Sequence, residues 1–195
     1  YIYKNTDIIL KAINNYGLEF RNIFNLTPLM CAAYVGSRAH IEKLTGLGAS
    51  VDIVDNNNRN ALIIALSKGL ANEKYCQYKL AAIYDYLKPD SLSLKIDNKL
   101  IKITPEKPEY FFLLVIISMT KNFIQSSYLN NTNAQNVSNF TFRAASIYKQ
   151  LQYFPEEILP SYRKRRDYIS GLMSRNEIDS KYPTNRQLFI RIDRG

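Results

Sequence analysis

The sequence predicts a mainly α-helical protein: a short stack of helix–turn–helix units, then a β-hairpin, then a helical and basic C-terminal region. Three observations lead there. The block Thr27–Gly36 returns at Asn60–Gly69, 33 positions later, with Leu29 matched by Leu62, Ala32 by Ala65 and Gly36 by Gly69. A two-residue alternation, the mark of a half-buried strand, is read at Leu92–Ile96, at Lys99–Ile103 and at Leu188–Ile192. From Arg143 onward, eleven Lys/Arg stand against six Asp/Glu, so this end carries +5 of a net +9.

Taken in order, Thr6–Asn15 reads as an amphipathic helix with Ile8, Ile9, Ala12 and Ile13 on one face and Thr6 as its cap. A hairpin over Leu18–Phe24 follows. Thr27 and Asn60 each precede a helical pattern and offer a capping oxygen. Pro28 stands at the first helical position, where its missing N–H costs nothing. Ala39–Leu47 is the helix paired with the one that Thr27 caps, and Gly48 suits a left-handed helix end. Asn25 and Asn58 fall where a positive φ is expected, a conformation that Asn tolerates better than other non-glycine residues. The next helix, Asn72–Leu87, is longer than the period allows and ends at Lys88-Pro89-Asp90.

A hairpin closing on Asp97-Asn98 places Leu94 opposite Ile101 and Leu92 opposite Ile103, gathering the apolar residues on one face. Thr104-Pro105-Glu106 is expected to open a helix that is apolar nearly all round from Phe111 to Met119, and hence deeply buried. A polar loop is expected over Gln125–Asn139. Phe140, Ala144, Ile147, Leu151 and Phe154 then mark a helix stopped by Pro155. Ser161 is expected to cap a further helix from about Tyr162 to Arg175, and Leu188–Ile192 to form a final strand.

Both the 33-residue step and the wording Thr27-Pro28-Leu29-Met30-Cys31-Ala32-Ala33, with Gly48-Ala49-Ser50-Val51-Asp52 as the intervening turn, resemble the ankyrin repeat. Met30 and Ile63 stand where the family usually has His. The resemblance covers about the first 90 residues. It implies a module that binds another protein through hairpin tips and the starts of inner helices. By position these are Ile23, Phe24, Leu26, Tyr34 and Val35 in one unit, and Asn56, Asn57, Arg59, Ser67 and Lys68 in the next.

In the C-terminal region Arg163, Lys164, Arg165 and Arg166 form a run, followed by Arg175, Arg186, Arg191 and Arg194. Cations at a helix start oppose the dipole, so the run is placed at some cost to local stability. The layout of helix, turn, basic helix and strand resembles a winged-helix end, and these eight residues are candidates for nucleic-acid contact. An acidic protein is the alternative partner, and a solvated helix face is the plainest one.

Little supports catalysis. The single histidine, His40, sits in the repeat pattern, and the two cysteines, Cys31 and Cys76, lack metal-ligand spacing. The seven glycines are scattered, so there is no phosphate-cradling loop, and no cofactor or metal is expected. The longest apolar run, Tyr110–Met119, is too short for a membrane span. With two core-like thiols and no leader, the chain reads as cytoplasmic. It begins at Tyr1 and ends at Gly195 in mid-pattern, as a piece of a longer protein would.

The expected divisions are a repeat module over 1–90, a hairpin and buried helix over 91–125, a flexible loop over 126–139 and a basic helical region over 140–195. The leading function is a non-catalytic adaptor or scaffold that holds a protein partner. The others are a nucleic-acid-binding regulator and an accessory region of a larger multidomain enzyme.

Overall fold

The computed structural model describes residues 6–96, 99–129 and 143–190. It is mainly helical, with a single two-stranded antiparallel sheet among these residues. The chain divides into two compact units. The first holds Tyr1–Pro89 and Ile117–Gln125; the second holds Asp90–Ile116 and Ser126–Gly195.

The first unit opens with α1 (Thr6–Tyr16) and then two helix pairs. α2 (Pro28–Val35) turns into α3 (Arg38–Gly46). α4 (Ala61–Ala71) turns into a helix in three parts: α5 (Glu73–Tyr75), a π turn (Cys76–Leu80) and α6 (Ala81–Leu87). α2 packs on α4 and α3 on α6, so the two pairs lie against one another, like on like.

The caps explain where these helices begin and end. Thr27 Oγ1 accepts the Met30 N–H at 3.3 Å, and Asn60 Oδ1 accepts the Ile63 N–H at 2.9 Å. α2 stops at Gly36, whose φ of +71° lets the Ser37 N–H reach back to the Ala32 carbonyl. Gly48, with φ +94°, does the same for α3, the Ala49 N–H meeting the Leu44 carbonyl at 2.9 Å. Small residues then allow close packing. Ala32, Ala33, Ala61 and Ala65 are buried between the pairs, with Leu29, Ile41, Leu44, Leu62, Leu66, Leu80, Ile83 and Leu87 completing the core.

The long helix after Asn72 keeps its expected extent but not a regular α form. Asn72 Oδ1 caps it at Tyr75, and the π turn over Cys76–Leu80 absorbs one residue more than an α-helix would hold. Across from it, Gly69 faces Leu80 and Cys76 with only a hydrogen as its side chain, so the π turn can approach α4.

In the second unit the hairpin β1 (Leu92–Ile96) and β2 (Lys99–Ile103) has the predicted register, Leu92 facing Ile103 and Leu94 facing Ile101. Its Asp97-Asn98 turn lies outside the described residues. α7 (Pro108–Leu129) differs at both ends from the sequence expectation. Thr104 closes a turn instead of capping, its carbonyl accepting the Lys107 N–H at 3.0 Å, so the helix opens at Pro108. It also runs through Gln125–Leu129, which were expected to be loop, because no proline or glycine interrupts it there. The remainder of that expected loop, and Phe140, lie outside the described residues. Tyr110–Val115 and Ser118 are buried.

α8 (Ala144–Leu151), α9 (Ser161–Lys164) and α10 (Arg166–Arg175) complete the second unit. The helix expected over Tyr162–Arg175 is broken at Arg165, whose φ −67° and ψ 144° are extended. Ser161 is the first residue of α9 and not a cap; its hydroxyl and N–H both donate to Glu156. Among the described residues, the strand expected at Leu188 is a single parallel bridge between Glu177 and Phe189. The reason is local. Gln187 has φ +55°, and the Asn176 carbonyl takes the Leu188 and Phe189 N–H groups at 2.8 and 3.0 Å. Asn176 is a buried hub: its Nδ2 donates to Glu109 Oε1 and to the Leu172 carbonyl, both at 3.1 Å. Phe111 stacks edge-on against Phe154 with centroids 5.0 Å apart, and Phe112 against Phe189 at 5.8 Å.

Candidate functional site

The turns that precede α2 and α4 are the same object built twice. In the first, the Asn22 N–H meets the Leu26 carbonyl at 3.1 Å and the Asn25 N–H meets the Asn22 carbonyl at 2.9 Å. In the second, the Asp55 N–H meets the Arg59 carbonyl and the Asn58 N–H meets the Asp55 carbonyl, both at 3.0 Å. Side chains repeat the pattern. Asn22 Oδ1 accepts from the Phe24 and Leu26 N–H groups at 2.9 and 3.0 Å; Asp55 Oδ1 accepts from Asn57 and Arg59 at 2.8 and 2.9 Å. Each tip crosses the left-handed region at an asparagine, Asn25 at φ +59° and Asn58 at +54°. Asn22 and Asp55 are themselves 33 residues apart, and that spacing was the available signal for their role.

The two tips are tied together. Arg21 Nη1 donates to the Asn25 carbonyl in its own tip and to the Val54 carbonyl in the next, each at 3.0 Å. Asn25 Nδ2 donates to Asn56 Oδ1, and the Ser50 N–H donates to Glu19 Oε1 at 2.7 Å. Neither Arg21 nor Glu19 stands out in the sequence, because their partners are backbone groups.

On this frame the two sets of candidate residues differ. Ile23 is 93% exposed, Phe24 70%, Tyr34 54% and Val35 43%, while Leu26 is half-buried and its backbone belongs to the turn. Lys68 Nζ lies 3.9 Å from the centroid of the Tyr34 ring, so α2 and α4 meet at the surface through a cation–π contact. Asn56 and Asn57 are exposed. Arg59 is committed to a forked pair with Asp55, Nε at 2.9 Å and Nη2 at 2.7 Å from Oδ2. Ser67 is buried, since its helix position turns it into the core, and it is withdrawn from the accessible set.

The basic candidates of the second unit are likewise sorted by their partners. Lys164 is only 9% exposed; its ammonium donates to the Phe154 carbonyl at 2.7 Å and lies 3.4 Å from Glu156. It holds the chain together and is withdrawn from the nucleic-acid candidates. Arg165 forks onto Asp167 at 2.6 and 3.2 Å, and this hydrogen-bonded pairing holds the Asp167 carboxyl below its ordinary range. Arg163 lies over the Tyr162 ring at 5.6 Å and Arg175 over Tyr182 at 5.7 Å. Arg166 is exposed and Arg186 half-buried; Arg191 and Arg194 lie outside the described residues. Tyr148, Gln152, Ser161, Lys164, Arg165, Arg166 and Asp167 line an open cleft of about 530 Å³.

His40 Nδ1 lies 2.6 Å from Ser37 Oγ in the first turn of α3, and Cys31 and Cys76 are buried. Among the described residues, no group of three or more His, Cys, Asp or Glu side chains could hold a metal ion. Nor is any helix among them long and apolar enough to cross a membrane.

No family model matches the chain, and no solved structure matches it. A segment of 56 residues is 43% identical to the probable palmitoyltransferase AKR2 of Saccharomyces uvarum, covering 29% of this chain. The chain spans 8% of the length of that relative.

Proposed function

We propose that the first unit is an ankyrin-type protein-binding module and that its partner docks on the first hairpin tip and the exposed flank of α2. One observation carries this reading. Ile23 and Phe24 are exposed on a tip held by its own hydrogen bonds, and Tyr34 and Val35 are exposed in the last turn of α2. Apolar side chains held out on an ordered frame cost solvation without repaying it in the folded chain, and they mark interaction surfaces. A few residues dominate the binding energy of a typical interface, and tyrosine is enriched among them. The role is that of an adaptor or scaffold, with the tip choosing the partner.

The test is substitution at the tip. Ile23→Asp and Phe24→Asp are expected to leave the thermal midpoint within about 2 °C, since surface changes away from caps and cores move stability by about 0.5 kcal/mol or less. They are expected to abolish co-purification of the partner from native extract. A captured set identical to wild type, or a collapse of the midpoint, overturns the reading.

A further inference from the structure

The second unit carries a feature that the tip surface does not use. We propose that the cleft between α8 and the α9–α10 break binds single-stranded nucleic acid, with Arg166 on the backbone phosphate and Tyr162 as a stacking platform. The break at Arg165 is what makes the cleft. An unbroken helix would present the basic run as a convex ridge suited to a duplex groove. Instead Lys164 is drawn inward to the Phe154 carbonyl and Glu156, and Arg165 and Arg166 are left on the wall of an open cavity.

The cavity's chemistry selects an anion. Its lining holds Lys164, Arg165 and Arg166 against Asp167 alone. Asp167 is already engaged by the Arg165 fork, and Lys164 by its internal partners. Arg166 is exposed, with no ion-pair partner among the described residues. In the first turn of α10 the Asp167 and Tyr168 amides are engaged by the Asp167 carboxylate, so the donor offered to a ligand is the Arg166 guanidinium. Gln152 and Ser161 add polar groups to the walls.

The surroundings then choose among anions. Tyr162, next to the lining residue Ser161, is 53% exposed, carries Arg163 over its ring and meets Tyr168 edge-on at 5.8 Å. A guanidinium beside an exposed aromatic ring suits an unpaired base, which every nucleotide offers, more than a phosphorylated side chain, which offers no second flat face. The volume, about 530 Å³, is on the scale of small-ligand sites. No edge of a base pair is read in this arrangement, so binding is tolerant of sequence.

The experiment is fluorescence anisotropy on the full chain with a labelled oligo-uridylate or oligo-thymidylate of about 12 nucleotides, a duplex of equal length and a phosphoserine peptide. Both single strands are expected to bind, and to weaken steeply between about 50 and about 200 mM salt. Arg166→Ala is expected to lower the logarithmic salt slope by about one. Tyr162→Ala is expected to weaken binding by about tenfold with the slope unchanged. Circular dichroism of both variants should match wild type, as both side chains are exposed. No binding at the lowest salt overturns the proposal. So does duplex bound as tightly as single strand, a preference for the phosphopeptide, or binding indifferent to both substitutions. None of these outcomes bears on the tip surface, which is probed separately.

Discussion

Tyr75 shows how much one side chain can carry. It is buried beside Gly36, and its hydroxyl donates to the Ala33 carbonyl, which also accepts the Gly36 N–H at 3.1 Å. Burial pushes its phenol well above the ordinary tyrosine value, with the neighbouring Cys76 adding to the shift. The sign of the pH dependence follows. In the unfolded chain the phenol ionises near pH 10, whereas in the folded protein it stays protonated. The stabilisation is therefore complete below about pH 10 and is lost as pH rises further. Urea midpoints measured from pH 8 to about 11.5 should fall at the alkaline end. Tyr75→Phe should be less stable at neutral pH, having lost the bond to Ala33, yet show a shallower alkaline decline. An unchanged alkaline slope would mean that other tyrosines dominate. Gly36 belongs to the same contact: a Cβ there would lie 2.8 Å from both Lys79 Cβ and Tyr75 Cε2.

Elements were legible wherever their instructions lie within a few residues. Thr27, Asn60, Gly36 and Gly48 act locally, so both helix pairs and their boundaries could be read to within a residue or two. The hairpin register followed from alternation together with closure on the Asp97-Asn98 pair. What could not be read depended on partners distant in the chain or on side chains choosing the interior. The break at Arg165 goes together with an inward Lys164, a choice that basic composition hides, and the π turn lies close against Gly69. The capping argument has a direct consequence for α4. Asn60→Ala removes the acceptor for the Ile63 N–H and should cost about 1 kcal/mol, read as a lowered denaturation midpoint with an unchanged m-value. Asn60→Asp should keep most of that stability, because a carboxylate accepts the same bond and favours the helix start.

At the scale of the whole molecule, the partition into units departs most from what linear reading offers. Residues Ile117–Gln125 belong to the first unit although they follow it by more than two dozen positions. Composition does not show this, because one unbroken helix pattern gives no clue about which core takes each stretch. Cutting the chain after Pro89 therefore removes part of the first unit. The fragment ending there should melt at a lower temperature and over a wider range than the same unit in the intact chain, followed by helical ellipticity. A fragment equal to the intact chain in both respects would make Ile117–Gln125 dispensable.

The tip turns are held by Asn22, Asn25 and Arg21, and by Asp55 and Asn58 in the second copy, through bonds that never involve the side chains of Ile23, Phe24 or Asn57. Those three letters can be respelled at almost no expense to folding. The docking surface proposed above can thus be altered by single-codon steps on a scaffold that stays folded.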